Sequence, residues 1–252
     1  MSYLKKRKDN PEMDIYEINE IGSLLKGNTY PGRGIIIGKT PDGENAVAAY
    51  FIMGRSANSR NRIFVEKEGS IYTEPFDASK CTDPSLIIYA AVRQYQNKLI
   101  VTNGNQTDTI YDEIKAGGCF QCALKKRTYE PDAPNFTSRI SGMVTLEKGG
   151  CNYKLNILKR FDTDTEACIR ETFDYEPVAG VGHFLHTYMG NGEPLPRFQG
   201  EPEIVAMDFA DIDDFTKQVW ESLNADNKVS LVTRYVSLKD GSYTQRIVNR
   251  NK

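Results

Sequence analysis

Short apolar runs separated by turn-forming residues fill most of this chain, and that spacing constrains the fold more than any other feature. Residues 35–37 and 46–53 flank a Pro41-Asp42-Gly43 turn, the pattern of a hairpin whose bend is set by proline and glycine dihedrals. Residues 63–65 and 71–73 form a second short pair, and the Gln96-Asn97-Lys98 turn links residues 85–95 to the run 99–101 as a third. Further strand-like runs cover residues 140–146, 153–158, 167–173 and 184–188, and 229–236 with 245–248 close the chain. Links this short join antiparallel neighbours, because a parallel crossover needs a much longer connection.

Three segments read as helices instead. Residues 11–25 have Asn10 as a cap, Pro11 at the first helical position and Gly27 as a stop. Residues 109–126 follow Thr107 or Asp108 as caps, with Gly117-Gly118 weakening the middle. Residues 211–223 repeat Ile212, Phe215, Val219, Trp220 and Leu223 at helical spacing behind an Asp211 cap. Many antiparallel strands with a few helices imply an α+β layered domain, not βαβ alternation.

Composition narrows the function classes. The chain of 252 residues is 39% hydrophobic and 26% charged, as in an ordinary globular protein. A formal net charge of -2 lacks the broad basic footprint of a nucleic-acid coat. No apolar run is long enough for a membrane span, and the basic opening MSYLKKRKDNPE has no apolar segment behind it. A cytoplasmic protein is expected. The five cysteines (Cys81, Cys119, Cys122, Cys151, Cys168) then read as reduced thiols, and the lone Cys119-Phe120-Gln121-Cys122 as helix packing.

Four segments collect the polar chemistry. GRSANSRNR, residues 54–62, follows a strand and interleaves Arg55, Arg60 and Arg62 with Ser56, Asn58, Ser59 and Asn61. Together with Arg33, these arginines suit phosphate or carboxylate, since the guanidinium fork pairs with two oxygens at once. Four solvated surface arginines would give the same sequence. VTNGNQTDT, residues 101–109, puts Asn103, Thr107 and Asp108 at a helix start, where they could cap the helix or bind polar ligand groups. RTYEPDAPNFTSRIS, residues 127–141, is a proline-stiffened loop with Glu130, Asp132, Asn135 and Arg139, Glu130 being an acid/base candidate. GHFLHTYMGNGEPLPRFQGEP, residues 182–202, holds the only histidines, His183 and His186, which on a strand point to opposite faces and form no metal pair.

These four segments, with YPGRG at residues 30–34, resemble in order and combination the stand-alone IMP cyclohydrolases of purine biosynthesis, a family distinct from the bifunctional transformylase/cyclohydrolase. One departure is Ser138, where a proline is expected before Arg139. The resemblance implies a four-layer α/β/β/α sandwich like that of the N-terminal-nucleophile hydrolases, with residues 1–29 as an extension and 30–252 as one catalytic domain. It implies closure of 5-formamidoimidazole-4-carboxamide ribonucleotide (FAICAR) to IMP with loss of water, without metal or organic cofactor. Tyr30, Arg33, Asp108 and Glu130 are the catalytic candidates. Arg55, Ser56, Asn61, Arg62, Asn103, Thr107, Asn135, Arg139 and His186 are the substrate-binding ones. The expected partner is a small purine nucleotide, with no nucleic acid or membrane, and homo-oligomerisation is left open. A nucleotide-binding module without activity, a related cysteine amide hydrolase and a single-stranded RNA binder are the alternatives.

Overall fold

The computed structural model describes residues 17–251 apart from 82, 83, 85, 86 and 163. Among the described residues, thirteen strands form two sheets. The first is ordered β11 (Glu203–Ala206), β10 (Val181–His186), β1 (Arg33–Lys39), β2 (Asn45–Met53), β12 (Lys228–Ser237), β13 (Tyr243–Asn249), and the second β3 (Ile63–Lys67), β4 (Ser70–Glu74), β5 (Tyr89–Tyr95), β6 (Lys98–Thr102), β7 (Arg139–Glu147), β8 (Gly150–Arg160), β9 (Cys168–Tyr175). Every named strand pair among the described residues is antiparallel, so the α+β expectation holds.

Strands β1 (Arg33–Lys39) and β2 (Asn45–Met53) read as continuous apolar runs because both of their faces are covered. Ile35, Ile37, Tyr50 and Ile52 point into the core between the two sheets, where they meet Val101, Ile140, Val144 and Leu155. Ile36, Val47, Phe51 and Met53 point the other way, against helices α1 (Ile21–Gly27) and α5 (Ile212–Ser222). The second sheet buries Ile100, Met143 and Leu158 under helices α3 (Gln106–Lys115) and α4 (Phe120–Lys125). Two facing sheets therefore lie between outer helices. By contrast, β9 (Cys168–Tyr175), at the edge of the second sheet, is nowhere fully buried.

Several expectations hold in detail. Asp211 caps α5 by accepting from Asp213 N at 2.7 Å and Asp214 N at 3.2 Å. The Pro41-Asp42-Gly43 turn joins β1 to β2, with Gly43 at φ 77°. Strand β5 (Tyr89–Tyr95) pairs with β6 (Lys98–Thr102) around Gln96 at φ 52°.

Others need correction. The helix expected over 109–126 starts earlier and is two helices, α3 and α4, because Gly117 takes φ 83° and ends the first. Asn10, Pro11 and the front of the helix expected over 11–25 lie outside the described residues; in the described part, Asn19 bridges Val205 and only residues from Ile21 are helical. Strand β11 (Glu203–Ala206) and the short helix α2 (Ala57–Arg60), inside GRSANSRNR, had no sequence signal. Cys119 and Cys122 are not free thiols: they form a disulfide at the start of α4, while Cys81, Cys151 and Cys168 remain free.

Strand β1 and β10 (Val181–His186) approach so closely at the Gly38–Gly182 pair that a Cβ on Gly38 would lie 2.7 Å from Gly182 Cα and 2.8 Å from Val181 O. Those obstacles are backbone atoms and cannot rotate aside. Gly38→Ala is expected to destabilise the protein by about 1–3 kcal/mol. Thermal unfolding should show a midpoint lowered by about 2–12 °C.

Candidate active site

The cleft opens at the end of the stack where β1 begins, β2 ends and β7 (Arg139–Glu147) begins. Its walls come from four stretches far apart in sequence: Tyr30 and Arg33 before and on β1, Arg55 to Arg62 around α2, Asp132 to Thr137 in the loop before β7, and Tyr188 to Leu195 after β10. The cavity holds roughly 510 Å³, a size suited to a nucleotide-sized ligand. Loops carried by the ends of packed strands can vary without disturbing the core, and they are where sites usually form.

Arg33, Arg55, Arg62, Asp132 and Glu193 all line the cleft, so it carries both signs of charge. Arg33 is 9% exposed and Arg62 5%, and among the described residues neither guanidinium has a carboxylate within ion-pair distance. Arg62 Nε is buried with no partner. Burial, and then the neighbouring charge of Arg33, lower the pKa of Arg62. Burial acts on Arg33 in the same direction, but Tyr30, Tyr188 and Glu130 together outweigh it and hold Arg33 above its ordinary value. Two buried like charges without a paired anion leave a strong local demand for one.

Arg55 is fixed differently. Its Nη1 donates to Asn191 Oδ1 at 2.8 Å and to Gly192 O at 3.0 Å, and its guanidinium sits 5.3 Å from the centre of the Tyr30 ring. Tyr30 stacks on Tyr188 with ring centres 6.0 Å apart. Deeper in, Tyr50 and Tyr89 share a hydroxyl–hydroxyl contact of 2.7 Å, and burial raises both phenols against the pull of Arg33 and Arg62. Glu130 is buried, its carboxylate 3.6 Å from Arg139 Nη1; burial raises its pKa while Arg139 and Arg33 oppose the rise.

Of the sequence candidates, Tyr30, Arg33, Arg55, Ser56, Arg62 and Asn135 line the cleft. Glu130 and Arg139 form a buried pair that does not line it. Asn103 and Thr107 are scaffold. Asn103 Oδ1 accepts from Ile140 N and Gln106 Nε2, both at 2.9 Å, and its Nδ2 donates to Ser138 O. Thr107 shares its hydroxyl with Thr102 at 2.6 Å. Asn61 forms a reciprocal pair with the Asp77 backbone, both bonds at 2.8 Å.

Asp108 needs the clearest correction. It is half exposed on α3, away from the cleft, and paired with Arg93 at 2.6 Å. A carboxylate aimed along an outer helix satisfies a surface charge and reaches no buried ligand. His186 lies on the helix-facing side of its sheet, between Phe184 and Phe198, with Nδ1 2.8 Å from Tyr188 O and Nε2 3.0 Å from Glu203. His183 points oppositely, as expected, into the space between the sheets.

Cleft residues that sequence reasoning did not select are Thr137, Tyr188 and Glu193, with Asp132 noted only as part of its loop. Gln106 was also missed; its Oε1 accepts from Arg139 Nη1 at 2.8 Å and so orients that arginine. All five lie in or beside the motifs, but only the fold shows which of them face the cavity.

Two measurements test this arrangement. Ser138 has a buried Oγ with no partner, and its N–H donates no hydrogen bond among the described residues. Ser138→Pro should remove the orphan and stiffen the unfolded chain, adding about 0.4–1 kcal/mol and raising the thermal midpoint by about 1–4 °C. His183 Nδ1 shares a hydrogen bond with the Tyr153 hydroxyl at 2.6 Å and its ring stacks on Tyr175, and burial lowers its pKa to about 4. The unfolded histidine titrates near ~6.5. As pH falls from there towards 4, the unfolded state takes up a proton that the folded state refuses, so stability falls. Urea midpoints of the parent should drop over that window more steeply than those of His183→Gln.

Comparison with known proteins agrees with the motifs. The family described as IMP cyclohydrolase-like protein matches residues 30–241. An IMP cyclohydrolase of Methanopyrus kandleri is 38% identical over 116 residues, which are 44% of this chain and 57% of that protein. An IMP cyclohydrolase of Methanococcus maripaludis is 28% identical over 163 residues, covering 63% of this chain and 74% of the relative. One from a second strain of that organism is 26% identical over 216 residues, covering 84% and 96%. The match spans the cleft, all four of its walls and every strand but the last, Tyr243–Asn249, and the chain belongs to the IMP cyclohydrolase-like family.

Proposed function

We propose that this chain closes FAICAR to IMP, releasing water. The observation that carries this reading is the pair of buried guanidiniums of Arg33 and Arg62 in a nucleotide-sized cleft, neither with a carboxylate within ion-pair distance among the described residues. The nucleotide phosphate supplies the missing charge, and Arg55 and Arg62 are its ligands. Arg33, deeper and beside the stacked tyrosines, is placed for negative charge growing on the formyl oxygen. Asn135, whose Oδ1 is occupied by Leu195 N at 3.2 Å, keeps its Nδ2 for the carboxamide or ribose.

The reaction joins two groups of one molecule. The carboxamide nitrogen attacks the formyl carbon, and holding the two in contact is the largest service a binding cleft can give. Glu130 contributes by balancing Arg139 and Arg33 from behind the cleft, a positioning role in place of the direct acid/base role expected from sequence. Nothing in this scheme calls on a cofactor.

The helices outside two facing antiparallel sheets support the four-layer, N-terminal-nucleophile-hydrolase-like reading. We read residues 1–29 as an extension to a single domain of residues 30–252; its described helix α1 docks against α5. No helix among the described residues is long and apolar enough to cross a membrane, and we assign the protein to the cytoplasm.

The test is incubation of the purified chain with FAICAR while IMP formation is followed by absorbance. Turnover above the uncatalysed rate is expected, and its absence at high protein concentration rejects the cyclohydrolase reading; binding of AICAR without turnover would leave a nucleotide-binding module. A charge-assisted hydrogen bond contributes roughly 1.5–3 kcal/mol. Arg62→Ala should therefore weaken AICAR binding by about ten- to a hundredfold. Arg62→Lys should restore only part of it, lacking the fork.

A further inference from the structure

Three side chains in the cleft form a hydrogen-bonded line with a fixed direction. Asp132 Oδ1 accepts from Thr137 N at 2.6 Å, and Asp132 Oδ2 accepts from the Thr137 hydroxyl. The same Thr137 oxygen lies 2.6 Å from the Tyr188 hydroxyl. A threonine hydroxyl has a single proton, and an ionised carboxylate has none to give. The Thr137 proton is therefore committed to Asp132, and Tyr188 must donate to Thr137. That leaves only lone pairs on the Tyr188 oxygen for anything else it meets. Tyr188 and Asp132 both line the cleft, and Tyr188 has no other hydroxyl partner among the described residues.

Holding the loop together does not account for the line. The loop is already tied through its backbone: Asn135 N and Phe136 N both donate to Asp132 O at 3.1 Å, and Glu130 N donates to Thr137 O at 2.9 Å. Tyr188 arrives from the segment after β10, 51 residues away. Phe136, directly before Thr137, has φ 43°, a conformation costing about 1–3 kcal/mol for a non-glycine residue. Arg160 lies 3.9 Å over its ring from outside the loop, and Tyr129 packs edge-on against it from within.

Building on the cyclohydrolase reading, we propose that Tyr188 takes the carboxamide proton of the substrate and relays it through Thr137 to Asp132 as the ring closes. The nitrogen–hydrogen bond breaks as the new nitrogen–carbon bond forms, and the formyl carbonyl opens to an oxyanion. In the same movement Tyr188 gains the substrate proton and gives its own to Thr137, and Thr137 gives its own to Asp132. The oxyanion then takes one proton back along the reversed line. It leaves as water with the formamide N–H proton, restoring all three side chains. Tyr188 is the catalytic residue; Thr137 and Asp132 act through it. Burial pushes the Tyr188 phenol up to about 12, so near neutrality it passes a proton on instead of serving as a phenolate.

The experiment is steady-state IMP formation by the full chain between acid and mildly alkaline pH, with AICAR affinity measured for each variant. Thr137→Val leaves Arg33, Arg55, Arg62, Glu130, Glu193 and Asp132, the charged groups around the line, in place and removes only the relay hydroxyl. We expect it to lower kcat by about 10²–10⁴-fold, the range for a lost proton-transfer group, with KM and AICAR affinity little changed. Thr137→Ser should keep most of the activity, and Tyr188→Phe and Asp132→Asn should each match Thr137→Val in kcat. Equal kcat for Thr137→Val and the parent, or equal losses for Thr137→Val and Thr137→Ser, would overturn the relay, as would an Asp132→Asn enzyme with the parent's kcat. A parent that makes no IMP defeats the cyclohydrolase reading and the relay with it; an active parent beside an unaffected Thr137→Val defeats the relay alone.

Discussion

The guanidiniums of Arg33 and Arg62 sit almost wholly out of water with no carboxylate against either, and much of the architecture can be understood from that burden. Removing an ion from water costs several kcal/mol even after the protein relaxes. A domain's net stability is only about 5–15 kcal/mol. Two such groups are tolerable only where the surrounding framework is rigid and well packed. Here the framework is the core between the sheets, in which Ile35, Ile37, Tyr50, Ile52, Val101 and Ile140 are fully or almost fully buried. Arg33 heads a strand whose next residues are buried on both faces, so it cannot swing out to solvent without disturbing the strand. A ligand anion relieves a cost that folding has already met, which is how a preorganised site turns stability into affinity.

The antiparallel topology explains why the remaining parts of the cleft converge. Strands that alternate in direction return their ends to the same side of a sheet. The β1 start, the β2 end, the β7 start and the β10 end therefore all lie together, although they span residues 30 to 195. The cationic wall comes from the β1 and α2 segments, and the acidic groups come from the loops before β7 and after β10.

Legibility in the sequence followed periodicity and turn chemistry. The β1–β2 hairpin was readable because Pro41 and Gly43 demand a bend, and α5 because its apolar residues recur at helical spacing behind Asp211. The break between α3 and α4 was signalled by Gly117-Gly118, but its effect depended on a backbone dihedral that composition only suggests. Strand β11 is four residues long and carries Glu203, too short for alternation to register. The Cys119–Cys122 pairing depends on where the chain turns into α4, which spacing alone could not establish. For the cleft, the segments at 30–34, 54–62, 127–141 and 182–202 supply its walls and 101–109 does not, and the family resemblance supplied the chemistry that composition could not.

Within those segments, composition could not separate ligand-binding groups from scaffold, because the same residue types serve both. Asn61, Asn103 and Thr107 have the hydroxyls and amides expected of a nucleotide site, yet their hydrogen-bonding groups are taken up by backbone carbonyls, backbone amides and neighbouring side chains. A buried polar group that is already satisfied has little to offer a ligand, since a new bond would only replace an existing one. Arg62 has an unpartnered buried nitrogen, and Tyr188 has lone pairs that its one hydrogen bond does not use. What marks a functional residue in this cleft is unspent hydrogen-bonding capacity. That property belongs to the folded arrangement of neighbours and not to the residue itself, and it arises only when the loop before β7 and the segment after β10 meet in one cleft.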